Sequence, residues 1–176
     1  MNVIIRKAEK QDAPMVARVH VESWRTTYSS ILTKEYLNSL NEKDKCELWN
    51  RVLSENHYTF IAETEDNKVI GFASFGKERS GDYCGELFAI YILKEYHGQR
   101  IGTRLFQSGV EALMKVGFKD VFVWVIAENP SRYFYSSLNG EKVKNEKVKI
   151  DNLLVDEEGY LWNNLQKLNE QLSRIV

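Results

Sequence analysis

The stretch from Glu86 to Leu105, ELFAIYILKEYHGQRIGTRL, leaves the chain few ways to fold. Leu87 to Leu93 is an almost unbroken apolar run rich in aromatic and β-branched side chains, the composition of a strand buried on both faces. From Ile101 the period changes, with Ile101, Leu105, Phe106, Val110 and Leu113 at helical spacing, which predicts an amphipathic helix. A central strand therefore hands over to a helix through His97-Gly98-Gln99-Arg100. The first amides of a helix lack intrahelical partners and carry partial positive charge, so this turn can cradle an anion such as phosphate, or it is a plain tight turn. It is not a P-loop, since no Gly-Lys-Ser/Thr follows the first glycine, and the three-glycine dinucleotide fingerprint is missing.

The rest of the chain reads as support for that unit. Val3 to Arg6 is a short strand, and Asp12 before Pro14 marks a helix start, with the carboxylate as cap. Val16, Val19, His20, Ser23, Trp24 and Thr27 share one face of that helix, which is partly polar. Tyr36 to Leu40 and Leu48 to Val52 suggest two further helical pieces. Tyr58 to Glu63 and Val69 to Phe75 form a hairpin turning at Asp66-Asn67. Val121 to Val125 is a second buried strand. Asn129-Pro130-Ser131 starts a helix carrying Tyr133, Phe134, Tyr135 and Leu138, which ends at Asn139-Gly140. Val143 to Ile150 and Leu153 to Trp162 make a final antiparallel pair. Its lysines, Lys142, Lys144, Lys147 and Lys149, read as a solvated strand face, the other reading being a patch for phosphates or an acidic acceptor. Leu161, Leu165, Leu168, Leu172 and Ile175 predict a C-terminal amphipathic helix over 163–176, packed either on the domain of residues 1–162 or in a homodimer.

Two segments, in this order and spacing, resemble the signatures of the GCN5-related N-acetyltransferase (GNAT) family. His97-Gly98-Gln99-Arg100-Ile101-Gly102 is similar to the family's acyl-CoA loop, Gln/Arg-x-x-Gly-x-Gly/Ala, with His97 replacing the first residue and Arg100 the middle glycine. Asn129-Pro130-Ser131-Arg132-Tyr133-Phe134-Tyr135 resembles the second signature, and His20 to Tyr28 resembles a recurring segment of one subgroup. The resemblance spans Val3 to Trp162. It implies an α/β fold with a central, mixed, mostly antiparallel sheet of about seven strands flanked by helices. The implied reaction is direct transfer of an acetyl group from acetyl-CoA to an amine of a small molecule or peptide in a ternary complex.

The residues divide by role under that resemblance. Gln99 to Thr103, with His97 and Gly98, would hold the pyrophosphate through Gln99, Arg100, Ile101, Gly102 and Thr103 amides. Ile90, Ile92 and Leu93 would border the pantetheine arm where the fourth and fifth strands splay, with the split between Ile92 and Trp124, and Asn129 would touch the same arm. Tyr135 would protonate the thiolate leaving group, since a phenol with a pKa of about 10 keeps its proton at neutral pH; a core aromatic is the other reading. Glu86 is the expected base, with His20 second, although Glu86 could equally pair with a cation. His20, Trp24 and Tyr28 would border the acceptor cleft, or else belong to the core. The altered loop residues also raise a non-catalytic acyl-CoA sensor as the alternative.

Composition narrows the partners. At 43% hydrophobic and 28% charged residues, with a formal net charge of -1, the chain matches a globular domain without a nucleic-acid footprint. Three histidines and two distant cysteines, Cys46 and Cys84, offer no metal-binding spacing, so no metal is expected. The two distant cysteines suggest a reduced, cytoplasmic compartment, and since the N-terminal apolar run is too short for a signal sequence and no run reaches the ~18 residues of a membrane span, a soluble protein without a membrane partner is expected.

Overall fold

The computed structural model describes residues 2–176. Among them, seven strands form one sheet: β1 (Val3–Lys7), β2 (Tyr58–Thr64), β3 (Val69–Lys77), β4 (Gly85–Ile92), β5 (Val121–Ile126), β6 (Glu141–Ile150) and β7 (Leu153–Trp162). Their order is β1-β2-β3-β4-β5-β7-β6, and every neighbouring pair is antiparallel except β4 and β5. The helices are α1 (Ala13–Thr27), α2 (Lys34–Ser39), α3 (Glu42–Ser54), α4 (Ile101–Lys115), α5 (Arg132–Ser137) and α6 (Leu165–Ser173). This is the mixed, mostly antiparallel arrangement read from the sequence.

The parallel pair needs a crossover, and α4 supplies it. Its apolar stripe, Leu105, Phe106, Val110 and Leu113, is fully buried against β2, β3 and β4, each side chain contributing about 1.5–3 kcal/mol relative to exposure. Gly109 lies in the middle of that stripe because a Cβ there would sit 2.0 Å from the Phe75 ring. On the other sheet face, α1 packs with α3 over β3 and β4, where Phe72 meets Trp49 at 4.9 Å between ring centroids. α6 buries Leu165, Leu168 and Leu172 and rests on α4. Left-handed residues close the elements: Asn67 and Asn139, at the expected turn and helix end, have positive φ, and so does Gly117 after α4.

One expected cap is absent. α1 does begin after Asp12 with Pro14 in its first turn, but the Asp12 side chain makes no cap bond. Its carboxylate accepts from Arg6 Nη1 (2.8 Å) and Nη2 (2.9 Å) and from the Glu9 backbone N–H (2.7 Å). A two-pronged guanidinium bond outcompetes a neutral amide for the same oxygens. The β6 lysines follow the solvated reading, with Lys142 on Glu158 (2.7 Å), Lys144 on Asp82 (2.5 Å) and Lys147 on Asp156 (3.0 Å).

Candidate functional site

A wedge in the sheet defines the site. β4 and β5 pair only from Gly85–Val121 to Leu87–Val123, after which β4 stays on β3 through Ile92 and β5 on β7 through Ile126, leaving their facing edges free. The cause is local: the β3–β4 register shifts so that Ser74 faces Ala89 and Phe75 faces Leu87, leaving Phe88 as an extra residue. A bulge of this kind bends its strand and increases its twist. Leu93 N–H donates to Ile70 O (2.9 Å), so by alternation the amide groups of Ile90 and Ile92 face away from β3 and into the wedge. A cavity of about 420 Å³ fills it, walled by Ile90, Tyr91 and Ile92, by Tyr96 to Gly98 and Arg100 to Thr103 of the loop, and by Phe134 and Tyr135 of α5.

The loop is built as an anion cradle. Gly98 has φ +76° and Arg100 φ +59°, so the arginine that replaces glycine accepts the left-handed conformation at a cost of about 1 kcal/mol. The first helical bond of α4 is Arg104 N–H to Arg100 O (3.1 Å), which leaves the amides of Ile101, Gly102 and Thr103 without intrahelical partners at the positive end of a fifteen-residue helix. At Gly102 a Cβ would come 3.3 Å from Ile92 Cδ1, so glycine keeps the loop close to the strand. These groups suit the diphosphate and amide-rich arm of coenzyme A: unpaired strand amides for the arm and free helix amides for the phosphates.

Several predicted residues have other duties. Arg100 Nη1 donates to Ile175 O (2.8 Å), so its guanidinium is tied to the C-terminal segment rather than free for a phosphate. His97 Nε2 lies 2.8 Å from Ile92 O; a carbonyl only accepts, so Nε2 carries the hydrogen and that carbonyl is occupied. Leu93 is buried with its amide in the β3 ladder, and neither it nor Gln99 lines the cavity. The remaining predicted loop residues, with Ile90, Ile92 and Tyr135, do come together there.

Tyr135 is 4% exposed, and burial pushes its phenol pKa up, so the hydroxyl stays protonated well above neutral pH. Asn129 steers α5 from below: Oδ1 accepts from Ser131 N–H (2.9 Å) and Nδ2 donates to Tyr28 Oη (3.4 Å). Tyr28 Oη in turn bonds Tyr91 Oη at 3.1 Å. Sequence reasoning missed Tyr91, whose place within an apolar strand gave it the pattern of a core residue. Burial raises both phenols, so this chain of hydroxyls is neutral.

The expected bases are both engaged. Glu86 is 1% exposed, and its carboxylate takes the Arg79 backbone N–H (3.1 Å) and the guanidinium, with Nη2 at 2.6 Å. Neither it nor Glu157 lines the wedge cavity, and for Glu86 accepting a proton also means breaking that ion pair. His20 Nδ1 accepts from Trp49 Nε1–H (3.1 Å); indole only donates, so the proton sits on Nε2 and no lone pair is left to act as base. Burial and Lys45 lower the His20 pKa to about 3. Trp24 packs on Tyr28 at 4.7 Å with its Nε1 buried and unpartnered.

A different carboxylate is free. The register pairs Glu86 with Phe122, Trp124 with Gly159 and Ile126 with Glu157, so Glu86, Trp124 and Glu157 share one sheet face. Glu157 is half-buried and makes no ion pair or hydrogen bond through its side chain among the described residues. Burial, then Glu146 directly across the strand pair, raises its pKa, with Arg79 acting in the opposite sense. Nothing local in the sequence marks it, because its character comes from burial and from the strand pairings that set Glu146 and Ile126 beside it.

A sheet splayed beside a helix-capping anion loop is the architecture of an acyl-CoA-binding transferase. The model of the Acetyltransferase (GNAT) family matches residues 17–140. The chain is 41% identical over 174 residues to the uncharacterized N-acetyltransferase YuaI of Bacillus subtilis (strain 168), covering 98% of this chain and 99% of that protein. It is 28% identical to the spermidine N(1)-acetyltransferase of Thermoplasma acidophilum, over 82% of this chain and 91% of that one. The crystal structure of PaiA N-acetyltransferase from Thermoplasma acidophilum in complex with coenzyme A superposes with a TM-score of 0.69 at 24% identity, covering 90% of this chain and 98% of that chain, a likeness of fold. The chain belongs to the GNAT family of N-acetyltransferases. Among the described residues, no helix is long and apolar enough to cross a membrane, and no group of three or more His, Cys, Asp or Glu could hold a metal ion.

Proposed function

We propose that this chain transfers the acetyl group of acetyl-CoA directly to a primary amine of a small molecule or peptide within a ternary complex. The observation that carries the reading is the wedge: unpaired Ile90 and Ile92 amides, free Ile101 to Thr103 amides and a protonated Tyr135 converge on one cavity. Acetyl-CoA supplies an activated thioester. The chain's own part is binding, orientation and proton handling.

The α4 amides hold the phosphates, and the free edge of β4 aligns the arm as an added strand. Ile92 contributes its N–H, its carbonyl being shared with His97. Tyr135 Oη–H donates to the departing sulfur, a role suited to a phenol kept neutral by burial. The attacking amine must be unprotonated, and Glu157 is the carboxylate that receives its proton, being unpaired and of raised pKa. Arg79 holds Glu86 in place and so shapes the same sheet face.

Free-thiol release from acetyl-CoA across a panel of amines tests the reading. Amine-dependent release supports it. Tight acetyl-CoA binding with no release for any amine would instead favour the non-catalytic sensor.

A further inference from the structure

A second cavity, of about 540 Å³, opens on the sheet face opposite α4, between α3 and the β3–β4 rim. Its apolar walls include Trp49, Val52 and Phe88, and its polar groups include His20, Lys77 and Arg79. The wedge does not use it. His20 is 92% buried by its 8% exposure, and its Nε2–H has no partner among the described residues, since Trp49 already occupies Nδ1. The ring sits among Trp24, Trp49, Phe72 and Tyr91 and lines the cavity, so its free Nε2–H is a donor that a ligand entering there can use.

The charges at the mouth define what that ligand is. Lys77 is exposed and has no ion pair among the described residues. Arg79 gives Nε and Nη2 to Glu86 and leaves Nη1 free on a side chain that is 69% exposed. Glu55 is the opposing charge on the lining and Glu86 already pairs with Arg79, so the groups left for a ligand are the Lys77 ammonium and the free Nη1 edge of Arg79. A neutral N–H donor, a free guanidinium edge and an ammonium group over apolar walls match a carboxylate on an apolar body. β4 joins the two sites: Phe88 and Ala89 border this cavity, Ile90 to Ile92 border the wedge, and the His20 ring stacks on Tyr91 at 5.6 Å.

We infer that this cavity takes the carboxylate end of the acceptor, held by His20 Nε2–H, Arg79 and Lys77, so that the acceptor is an amino acid or a similar apolar amino-carboxylate. The inference rests on the acetyltransferase reading, for which any primary amine would serve. It makes the acceptor an anion at one end, in contrast to a polyamine.

Matched pairs separate the two claims. Leucine and isoamylamine, then phenylalanine and phenethylamine, differ by the carboxylate, and spermidine serves as the carboxylate-free polycation. Thiol release is expected to favour each amino acid over its amine, roughly tenfold in KM for one charge-assisted bond. Lys77→Gln, an exposed change that leaves the fold intact, narrows the leucine-to-isoamylamine ratio severalfold, and His20→Gln, which keeps an acceptor for Trp49 and a donor for the ligand, preserves it. Equal or better use of isoamylamine or spermidine overturns the inference and leaves acetyl transfer standing. If no amine releases thiol, the transfer reading fails by itself, and leucine against isoamylamine, titrated by calorimetry into wild type and Lys77→Gln, still decides the cavity: no preference for leucine overturns it.

Discussion

Lowering the pH from 7 to 5 probes His20 directly. The ring is neutral in the fold because burial and Lys45 lower its pKa from 6.5 to about 3. In the unfolded chain it binds a proton near pH 6.5, so the unfolded state gains protons first and stability falls as pH drops between those two values. For one group with these constants the loss from pH 7 to pH 5 is about 2 kcal/mol. His57, also lowered by burial and Lys7, contributes in the same direction, so the comparison must be with His20→Gln, in which only the His20 contribution is gone. Urea unfolding at both pH values is expected to show wild type losing about 2 kcal/mol more than the variant. Equal losses, or a His20 ring that titrates near 6.5 by NMR in the folded protein, would refute the neutral, Nε2-protonated imidazole on which the second cavity depends.

Other perturbations separate the remaining roles. Gly109→Ala drives a Cβ to 2.0 Å from Phe75, whose ring is stacked on Phe106 at 6.0 Å, so the helix-propensity gain of about 1 kcal/mol is exceeded and the urea midpoint falls by the equivalent of roughly 1–3 kcal/mol net. Glu157→Gln should lower kcat/KM at neutral pH by about 100-fold or more. In wild type the rate falls as pH drops through the raised Glu157 pKa, so the acid limb lies above the usual glutamate range, and in the variant that limb is absent; an unchanged profile removes Glu157 from the chemistry. Asn129→Asp keeps the acceptor for Ser131 N–H but deletes the donor to Tyr28; stability within about 1 kcal/mol of wild type and weaker acetyl-CoA binding by calorimetry are expected, whereas unchanged affinity leaves only the structural bond.

The parts of this fold that a sequence can show are those set by local period. The change from a continuous apolar run to helical spacing at Ile101 located β4, the anion loop and α4, and turn-prone residues at Asn67, Gly117 and Asn139 stopped their elements where the backbone turns left-handed. What stayed hidden depends on partners brought together by the fold. Asp12 had the form of a cap but is held by Arg6 of β1, which also pairs with Glu63 of β2. Glu86 had the position of a base but is paired with Arg79 of the β3–β4 connection. Tyr91 reads as core by pattern, and only the splay of β4 from β5 turns it toward a cavity and Tyr28. Glu157 acquires its character from burial, from Glu146 across the β6–β7 pair and from Arg79 in the β3–β4 connection, a combination that no local period displays.

The central claim is that Tyr135 assists acyl transfer inside the wedge, and Tyr135→Phe tests it most directly. The substitution removes one buried hydroxyl that makes no side-chain hydrogen bond among the described residues, so the fold has little reason to change. Steady-state turnover with the best amine of the panel, beside acetyl-CoA titration calorimetry, is predicted to show kcat reduced by about 100-fold at unchanged acetyl-CoA affinity. Turnover equal to wild type would contradict the account.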